Sequence, residues 1–361
     1  MSEHALSPRE CPLGIHHPDL YLWDAWSCQV DGDIHLFCLA LPRVDGLGNT
    51  IHPDNRNDYS FHVHHFASSD RGLNWRDLGI FQQPGQSPDG HDSYNIWSGS
   101  IWREANNQLW VGYTGIQHAG IDRPFIQNLA LTKATQSSCS AESGWLVSSP
   151  LRDHDAIIRA GYFIDDPERL GAAQGECGGT ILAWRDPFLF GLNDAHYVVF
   201  AAKATPHKPA VGLASVDLNH PESGLDLKSP ITLGDDDQFT QIEVPKIYAL
   251  PGDEQLLMVC ATTNRISEDQ PATEVEMLIR LYISPTVEGP WLPCGTQTSV
   301  LGNTEHLFGA TVIDIDADSG QIHFMAPFTT GAGDRDRLTF APRFSVALAD
   351  IGRVPQICAQ R

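Results

Sequence analysis

The sequence predicts an all-β fold, a five-bladed β-propeller around a central funnel, occupying residues 1–361 as one unit. Two observations carry the fold class. Runs of four to eight residues rich in aromatic and β-branched side chains alternate with turn residues, among 31 Gly and 24 Pro spread along the whole chain. No window of a dozen residues shows helical spacing of its apolar positions. A third observation sets the blade number: a strand–turn–strand pattern recurs five times.

The first copy joins residues 23–28 to 34–41 through a turn at 31–33, and a further strand-like run follows at 60–67. The second joins 97–103 to 108–114 through the polar turn 104–107. The third pairs Trp-Arg-Asp-Pro-Phe-Leu-Phe at 184–190 with His-Tyr-Val-Val-Phe-Ala-Ala at 196–202. The fourth places 243–248 before 255–261, with a turn at 251–254 and another run at 277–283. The last runs from His306 to Val312, turns at 316–320 and returns through 321–326. Residues 153–178 read as a long loop with a helical turn. The Ser-x-Asp-x-Gly-x-x-Trp stretch at 68–75 resembles the Asp-box turn of propeller blades. A two-sheet sandwich is the alternative, but it rarely reaches this length.

Composition excludes several functions. With 23 basic and 45 acidic side chains the formal net charge is −22, and no Lys/Arg cluster exists to bind nucleic acid or an anionic membrane. The apolar runs fall far short of the ~20 residues needed to span a bilayer. The N-terminus carries neither a basic nor a hydrophobic signal region, so the expected location is cytoplasmic, with reduced thiols. The eight cysteines include no C-x-x-C pair, and Cys38 and Cys260 sit in apolar runs where a thiol behaves as a small hydrophobe.

In a propeller the first strand of each blade lines the central channel. The opening strands here deliver Asp24, Ser98, Asp186, Glu243 and His306. One carboxylate in such a place reads as a hydrogen-bonded structural group, but three converging carboxylates point to chemistry. Two facing carboxyl groups are what glycoside hydrolysis needs. A separation of about 5 to 5.5 Å implies retention and about 6.5 to 9.5 Å inversion, a choice the sequence leaves open.

At these residues the chain resembles glycoside hydrolase family 68, the levansucrases, inulosucrases and related β-fructofuranosidases. The likeness rests on Leu-Trp-Asp-Ala-Trp (22–26), Trp-Ser-Gly-Ser (97–100), Trp-Arg-Asp-Pro (184–187) and Gln-Ile-Glu-Val-Pro (241–245). Residues 284–291 and 339–344 extend it. The blocks occur in family order over nearly the whole chain.

The resemblance implies a funnel-shaped active site and retaining double displacement on sucrose or a related β-fructoside, with no cofactor and no metal. Asp24 is then the nucleophile, Glu243 the acid/base and Asp186 the transition-state stabiliser. Ser98 orients Asp24, Arg185 forks between a carboxylate and a sugar hydroxyl, and Trp23 and Trp97 wall the fructose pocket. Arg265 is expected to reach the sugar from beyond the acid/base strand.

The departures from the family concern the leaving group. Its acid/base block usually reads Glu-x-Glu-Arg, whereas Gln241 and Val244 stand here, and a common fifth-blade tyrosine gives way to Asn303-Thr304-Glu305-His306. Fewer charged groups beyond the fructosyl unit, together with a cytoplasmic setting, favour hydrolysis over polymer synthesis. A levansucrase-type fructosyltransferase, an inverting arabinofuranosidase-like enzyme and a non-catalytic carbohydrate-binding propeller are the alternatives. Turnover lost in Asp24→Asn or Glu243→Gln with folding intact separates the enzymes from the last. His62, His64 and His65 lack a complete ligand set and read as a solvated strand, and Asp235 to Asp237 as a solvent-exposed acidic turn in place of a calcium loop.

Overall fold

The computed structural model describes residues 14–85, 87, 89–139, 144–172, 180–252, 255–267, 269–294, 299–302, 304, 306–329 and 337–352. Five antiparallel sheets succeed one another along the chain, each a simple meander. The first comprises β1 (Leu20–Val30), β2 (Asp33–Pro42), β3 (His62–Ser68) and β4 (Arg76–Gln82). The second comprises β5 (Asn95–Arg103), β6 (Leu109–Gln117), β7 (Ile126–Ala134) and β8 (Trp145–Ser148). The third contains β9 (Arg185–Leu192), β10 (Ala195–Thr205), β11 (Lys208–Val216) and the short β12 (Asp226–Leu227). In the fourth are β13 (Gln241–Ala249), β14 (Leu256–Thr263), β15 (Met277–Ser284) and β16 (Leu292–Pro293). Three described strands make the fifth: β17 (Thr311–Asp316), β18 (Gln321–Met325) and β19 (Phe344–Ala347).

The sheets form a ring because each is buried on both faces. Successive side chains of a strand point to opposite faces, so a strand between two neighbours must be apolar almost throughout. In β2, Phe37, Leu39 and Leu41 pack toward the second sheet, while Leu36, Cys38 and Ala40 pack toward the fifth. The same division holds in β14, where Met258 and Cys260 face the third sheet and Leu257 and Val259 the fifth. Five apolar clusters result, one between each adjacent pair of sheets. The last closes the ring, joining Leu22, Ile34 and Phe66 to Ile313, Met325 and Phe340. Ile15 and Phe340 exchange backbone hydrogen bonds of 3.1 and 3.0 Å, and Leu22 N–H donates to Leu338 O at 2.7 Å. The chain is a five-bladed β-propeller.

Turn chemistry fixes the hairpins. Asn193 and Asp194 both take positive φ (49° and 62°) between β9 and β10, as a tight two-residue hairpin requires. In the 68–75 turn, the Asp70 carboxylate accepts from Leu73 N–H, Asn74 N–H and the Asn74 side chain, and Gly72 N–H donates to Ser68 Oγ at 2.8 Å. Those donors hold the Asp70 carboxyl down at about 2. Gly72 (φ 83°) admits no side chain, since a Cβ there lies 2.6 Å from Ile313 Cδ1 of the fifth blade.

Two expectations need correction. The opening strand of the fifth blade starts at Thr311, so His306 precedes it: Leu307 and Phe308 pair instead with residues 327 and 328, nearer the C-terminal closure. The histidines of β3 are not solvated, because β3 is an interior strand, and His64 and His65 are 5% and 2% exposed. The 153–178 connection carries one short helix, α1 (His154–Arg159), and no strand among its described residues. Cys38 and Cys260 are buried free thiols as expected; Cys11, Cys177 and Cys358, like Asn303 and Glu305, lie outside the described residues. Among the described residues no helix is long and apolar enough to cross a membrane.

Candidate active site

Every opening strand breaks its pairing register once: between Trp23 and Ala25 in β1, between Trp97 and Gly99 in β5, and between Val312 and Asp314 in β17. In β9 the break falls at Asp186-Pro187 and in β13 at Val244-Pro245. A bulge turns one side chain out of the alternation and re-aims it. Here the bulged residues include Asp24, Ser98 and Asp186, and Glu243 stands at the edge of the fourth bulge.

Three of these positions hold a left-handed backbone without being glycine: Asp24 (φ 34°), Asp186 (φ 62°) and Val244 (φ 43°). Such conformations cost about 1–3 kcal/mol each, and most for a β-branched valine. They persist because tertiary contacts pin them, and they gather where side chains must leave the sheet.

The pinning bonds cross from blade to blade. Ser98 Oγ donates to Asp24 Oδ2 at 2.6 Å. Thr114 Oγ1 donates to Ser98 O at 3.1 Å and accepts from Asp186 N–H at 2.8 Å, tying the second blade to the third. Val244 N–H donates to Asp186 Oδ2 at 3.0 Å, tying the third to the fourth. Gly309, before β17, backs onto the site from the fifth: a Cβ there lies 3.0 Å from Asp24 Oδ1 and 3.7 Å from Val244 Cγ2. A side chain at 309 would crowd Oδ1.

One guanidinium stands between two of the carboxylates. Arg185 Nε is 3.8 Å from Asp186 Oδ2, and its Nη2 is 3.7 Å from Glu243 Oε1. Nη1 donates to Leu182 O at 2.9 Å, which fixes the fork. The two acids differ in environment, Asp186 being 6% exposed at its side chain and Glu243 28%. Burial pushes the Asp186 carboxyl up to about 7. Arg185 opposes that rise, the Val244 N–H eases it, and Asp24 and Glu243 add to it.

Two lysines lie fully buried behind these groups. Lys203 donates to Thr240 O at 2.5 Å; burial and Arg185 lower its ammonium to about 7, and Glu243 resists that fall. Lys246 donates to Val244 O at 3.3 Å and Ala310 O at 3.0 Å, and burial brings it to about 8 against the pull of Asp24 and Asp186. Neither lysine, nor Thr114 or Gly309, is marked by the sequence. The only local signal for Lys246 is a charged residue inside an otherwise apolar strand.

The remaining candidates divide. Trp23 is buried edge-on against Phe61 at 4.7 Å, and half-buried Trp97 lies 5.9 Å from Phe125. Arg265 is half-buried; its N–H donates to Thr263 Oγ1 at 3.1 Å and its carbonyl accepts from Thr240 Oγ1 and Gln241 Nε2. Gln241, 1% exposed, spends its amide on Ile181 O and Arg265 O, both at 3.3 Å. A cavity of about 270 Å³ lies between Phe125, Phe163, Asp165, Arg169, Leu182 and Trp184, and none of the three carboxylates lines it.

Two polar clusters lie away from the carboxylates. Asp235 is not a solvated turn: its carboxylate takes bonds from Arg280 (3.0 Å), Tyr282 (2.8 Å) and Ser299 (2.6 Å), so its oxygens serve the blade instead of an ion. His17, His64 and Asp77 are the one group among the described residues with metal-ligand proximity. Yet His17 Nδ1 accepts from Asp19 N–H, leaving the proton on the Nε2 that faces Asp77 at 3.1 Å. A histidine metal ligand has the opposite polarity, its second nitrogen donating outward.

The arrangement therefore presents three carboxylates from three blades, differing in exposure, with a serine hydroxyl on one and a guanidinium between the others. No protein-family model and no curated protein sequence matches the chain. Solved structures match it over most of its length. Levansucrase from Bacillus subtilis is 15% identical, with a TM-score of 0.64 over 91% of this chain and 84% of that one. Inulosucrase from Halalkalicoccus jeotgali, solved with kestose bound, is 17% identical, with a TM-score of 0.64 over 96% and 89%. A variant of Bacillus megaterium levansucrase is 15% identical, with a TM-score of 0.61 over 91% and 83%. At these identities the likeness shows a shared fold, the five-bladed propeller of levansucrase and inulosucrase.

Proposed function

We propose that the chain is a retaining β-fructofuranosidase that cleaves sucrose or a related β-fructoside, mainly by hydrolysis, with the propeller of residues 1–361 as its catalytic unit. Asp24 Oδ1, the oxygen that Ser98 does not hold, attacks the anomeric carbon of the fructosyl unit. The glycosidic C–O bond breaks as Glu243 gives its proton to the departing oxygen. Water then attacks the fructosyl–Asp24 ester, Glu243 takes the proton back, and the free carboxylate is restored. Asp186 accepts hydrogen bonds from sugar hydroxyls that tighten as positive charge develops on the ring. Arg185 keeps Asp186 and Glu243 apart in orientation, and Trp23, Trp97 and Arg265 bound the sugar.

The observation that carries this reading is Asp24 itself. A carboxylate on a left-handed bulge, held by a serine hydroxyl at 2.6 Å through one oxygen and faced by a glycine at the other, is arranged for attack. Hydrolysis is favoured over transfer because Gln241 is a buried neutral amide whose Nε2 is turned to backbone carbonyls and Val244 is apolar, so neither offers a charged group to a sugar acceptor. Transfer is the second reading, supported by structural neighbours that are named levansucrase and inulosucrase, one of them solved with sucrose.

The test is incubation with sucrose, quantifying free glucose and free fructose separately, with Asp24→Asn as the background. Equal release supports hydrolysis, and glucose in excess of fructose supports transfer. No release by the native chain overturns sucrose as substrate.

A further inference from the structure

We propose that Lys246 is the positioning residue of the carboxylate cluster, a buried cation that holds the two backbone turns on which Asp24 and Asp186 depend. The proposal rests on the reading of these carboxylates as the reacting and stabilising groups.

The first turn is the β13 bulge. Glu243 pairs with Ala261 and Lys246 with Val259, so Val244 and Pro245 are extruded between them. Pro245 has no N–H to give, and Val244 stands in a conformation that valine avoids. Both ends of Val244 are tied to ionic groups instead. Its N–H donates to Asp186 Oδ2 at 3.0 Å, and its carbonyl accepts from Lys246 Nζ at 3.3 Å. Freed from the lysine, the bulge loses the bond that Nζ makes to its carbonyl side, and the amide aimed at Asp186 loses its register.

The second turn is Gly309-Ala310, on the way into β17. Lys246 Nζ donates to Ala310 O at 3.0 Å. Gly309 is the residue that backs onto Asp24 Oδ1. A single ammonium thus fastens the fourth blade to the fifth, beside the amide that donates to Asp186 and next to the glycine that faces Asp24.

Its charge has a second consequence. Lys246 is 2% exposed, and no carboxylate bonds it directly. The charged and titratable groups facing it are Asp24 on β1, Asp186 on β9 and the Cys260 thiol on β14. A buried ammonium is tolerated next to such carboxylates, and it offsets part of the mutual repulsion of the acids. Lys203 plays no equivalent part, since its one bond goes to Thr240 O and its near neighbours are Arg185 and Glu243.

The experiment compares Lys246→Met and Lys246→Arg with the native full-length chain in two measurements. In the first, aspartate side-chain carboxyls carry a 13C label, the Asp186 signal is assigned through Asp186→Asn, and its titration is followed without substrate. Lys246→Met is expected to move the Asp186 midpoint upward by about one pH unit, and Lys246→Arg to move it by less than half as much. In the second, the pH profile of kcat/KM on sucrose is expected to shift its acid limb in the same direction, with kcat down ~10-fold or more. An unmoved Asp186 midpoint in a folded Lys246→Met overturns the proposal, even if its Tm falls. If Lys246→Met does not fold, Lys246→Arg decides: an Asp186 midpoint displaced upward by a full unit despite the retained charge overturns it. A native chain inactive on sucrose overturns the reading of the reaction, while the carboxyl titration still decides for or against Lys246.

Discussion

Asp186→Asn is expected to make the protein more stable and nearly inactive, and the stability gain should depend on pH. The carboxyl of Asp186 is 5% exposed, and burial raises it from 3.8 to about 7. Between those values the folded chain retains a proton that the unfolded chain releases, so the native protein loses stability as pH climbs from about 4 to about 7. A rise of about three pH units corresponds to ~4 kcal/mol at 1.36 kcal/mol per unit. The attraction of Arg185, whose Nε lies 3.8 Å from Asp186 Oδ2, is already contained in that figure, since it holds the rise below what burial alone would give. Asparagine still accepts from Val244 N–H, so the strained bulge keeps its partner. The assay is urea unfolding of both proteins at pH 4, 5.5, 7 and 8. The difference in unfolding free energy should be small at pH 4, grow through pH 7 and then level off, while kcat on sucrose falls by ~10³ or more. A difference that is flat with pH, or an asparagine variant less stable at pH 8, would refute a desolvated Asp186.

Two further changes test other parts of the structure. Ser98→Ala removes a hydroxyl bonded at 2.6 Å to Asp24, a charge-assisted contact worth about 1.5–3 kcal/mol; kcat/KM should fall about 10- to 150-fold with Tm little changed, read by steady-state kinetics and calorimetry. Arg280→Met strands the Asp235 carboxylate away from the active centre and should cost about 3–5 kcal/mol in chemical denaturation, with added calcium restoring none of it and kcat near native.

The propeller was legible because its physics is local and repetitive. A strand buried on both faces must be apolar nearly throughout, and hairpins need turn residues such as Asn193-Asp194; both requirements are written in the chain. Trp-Asp, Trp-Ser and Arg-Asp-Pro could be read as a set because each falls at the same place in a repeated unit. Two of the differences share one cause, which is that polarity along a chain does not by itself mean exposure. His64 and His65 sit on an interior strand, and Asp235, in the turn before β13, is paired with Arg280 of β15, 45 residues away. The start of the fifth blade was misjudged because the apolar run at 307–308 pairs with the C-terminal return, a long-range choice that no local pattern encodes.

By itself, then, the sequence determined the number of blades and which acids stand on the opening strands of the first, third and fourth, because those follow from periodicity and turn chemistry. Only the tertiary structure decided what these acids face. The serine hydroxyl on Asp24, the Val244 N–H on Asp186 and the Ala310 carbonyl on Lys246 all come from blades distant in sequence. Strain at Val244 and the raised Asp186 carboxyl are tolerable only because ring closure supplies partners from both sides.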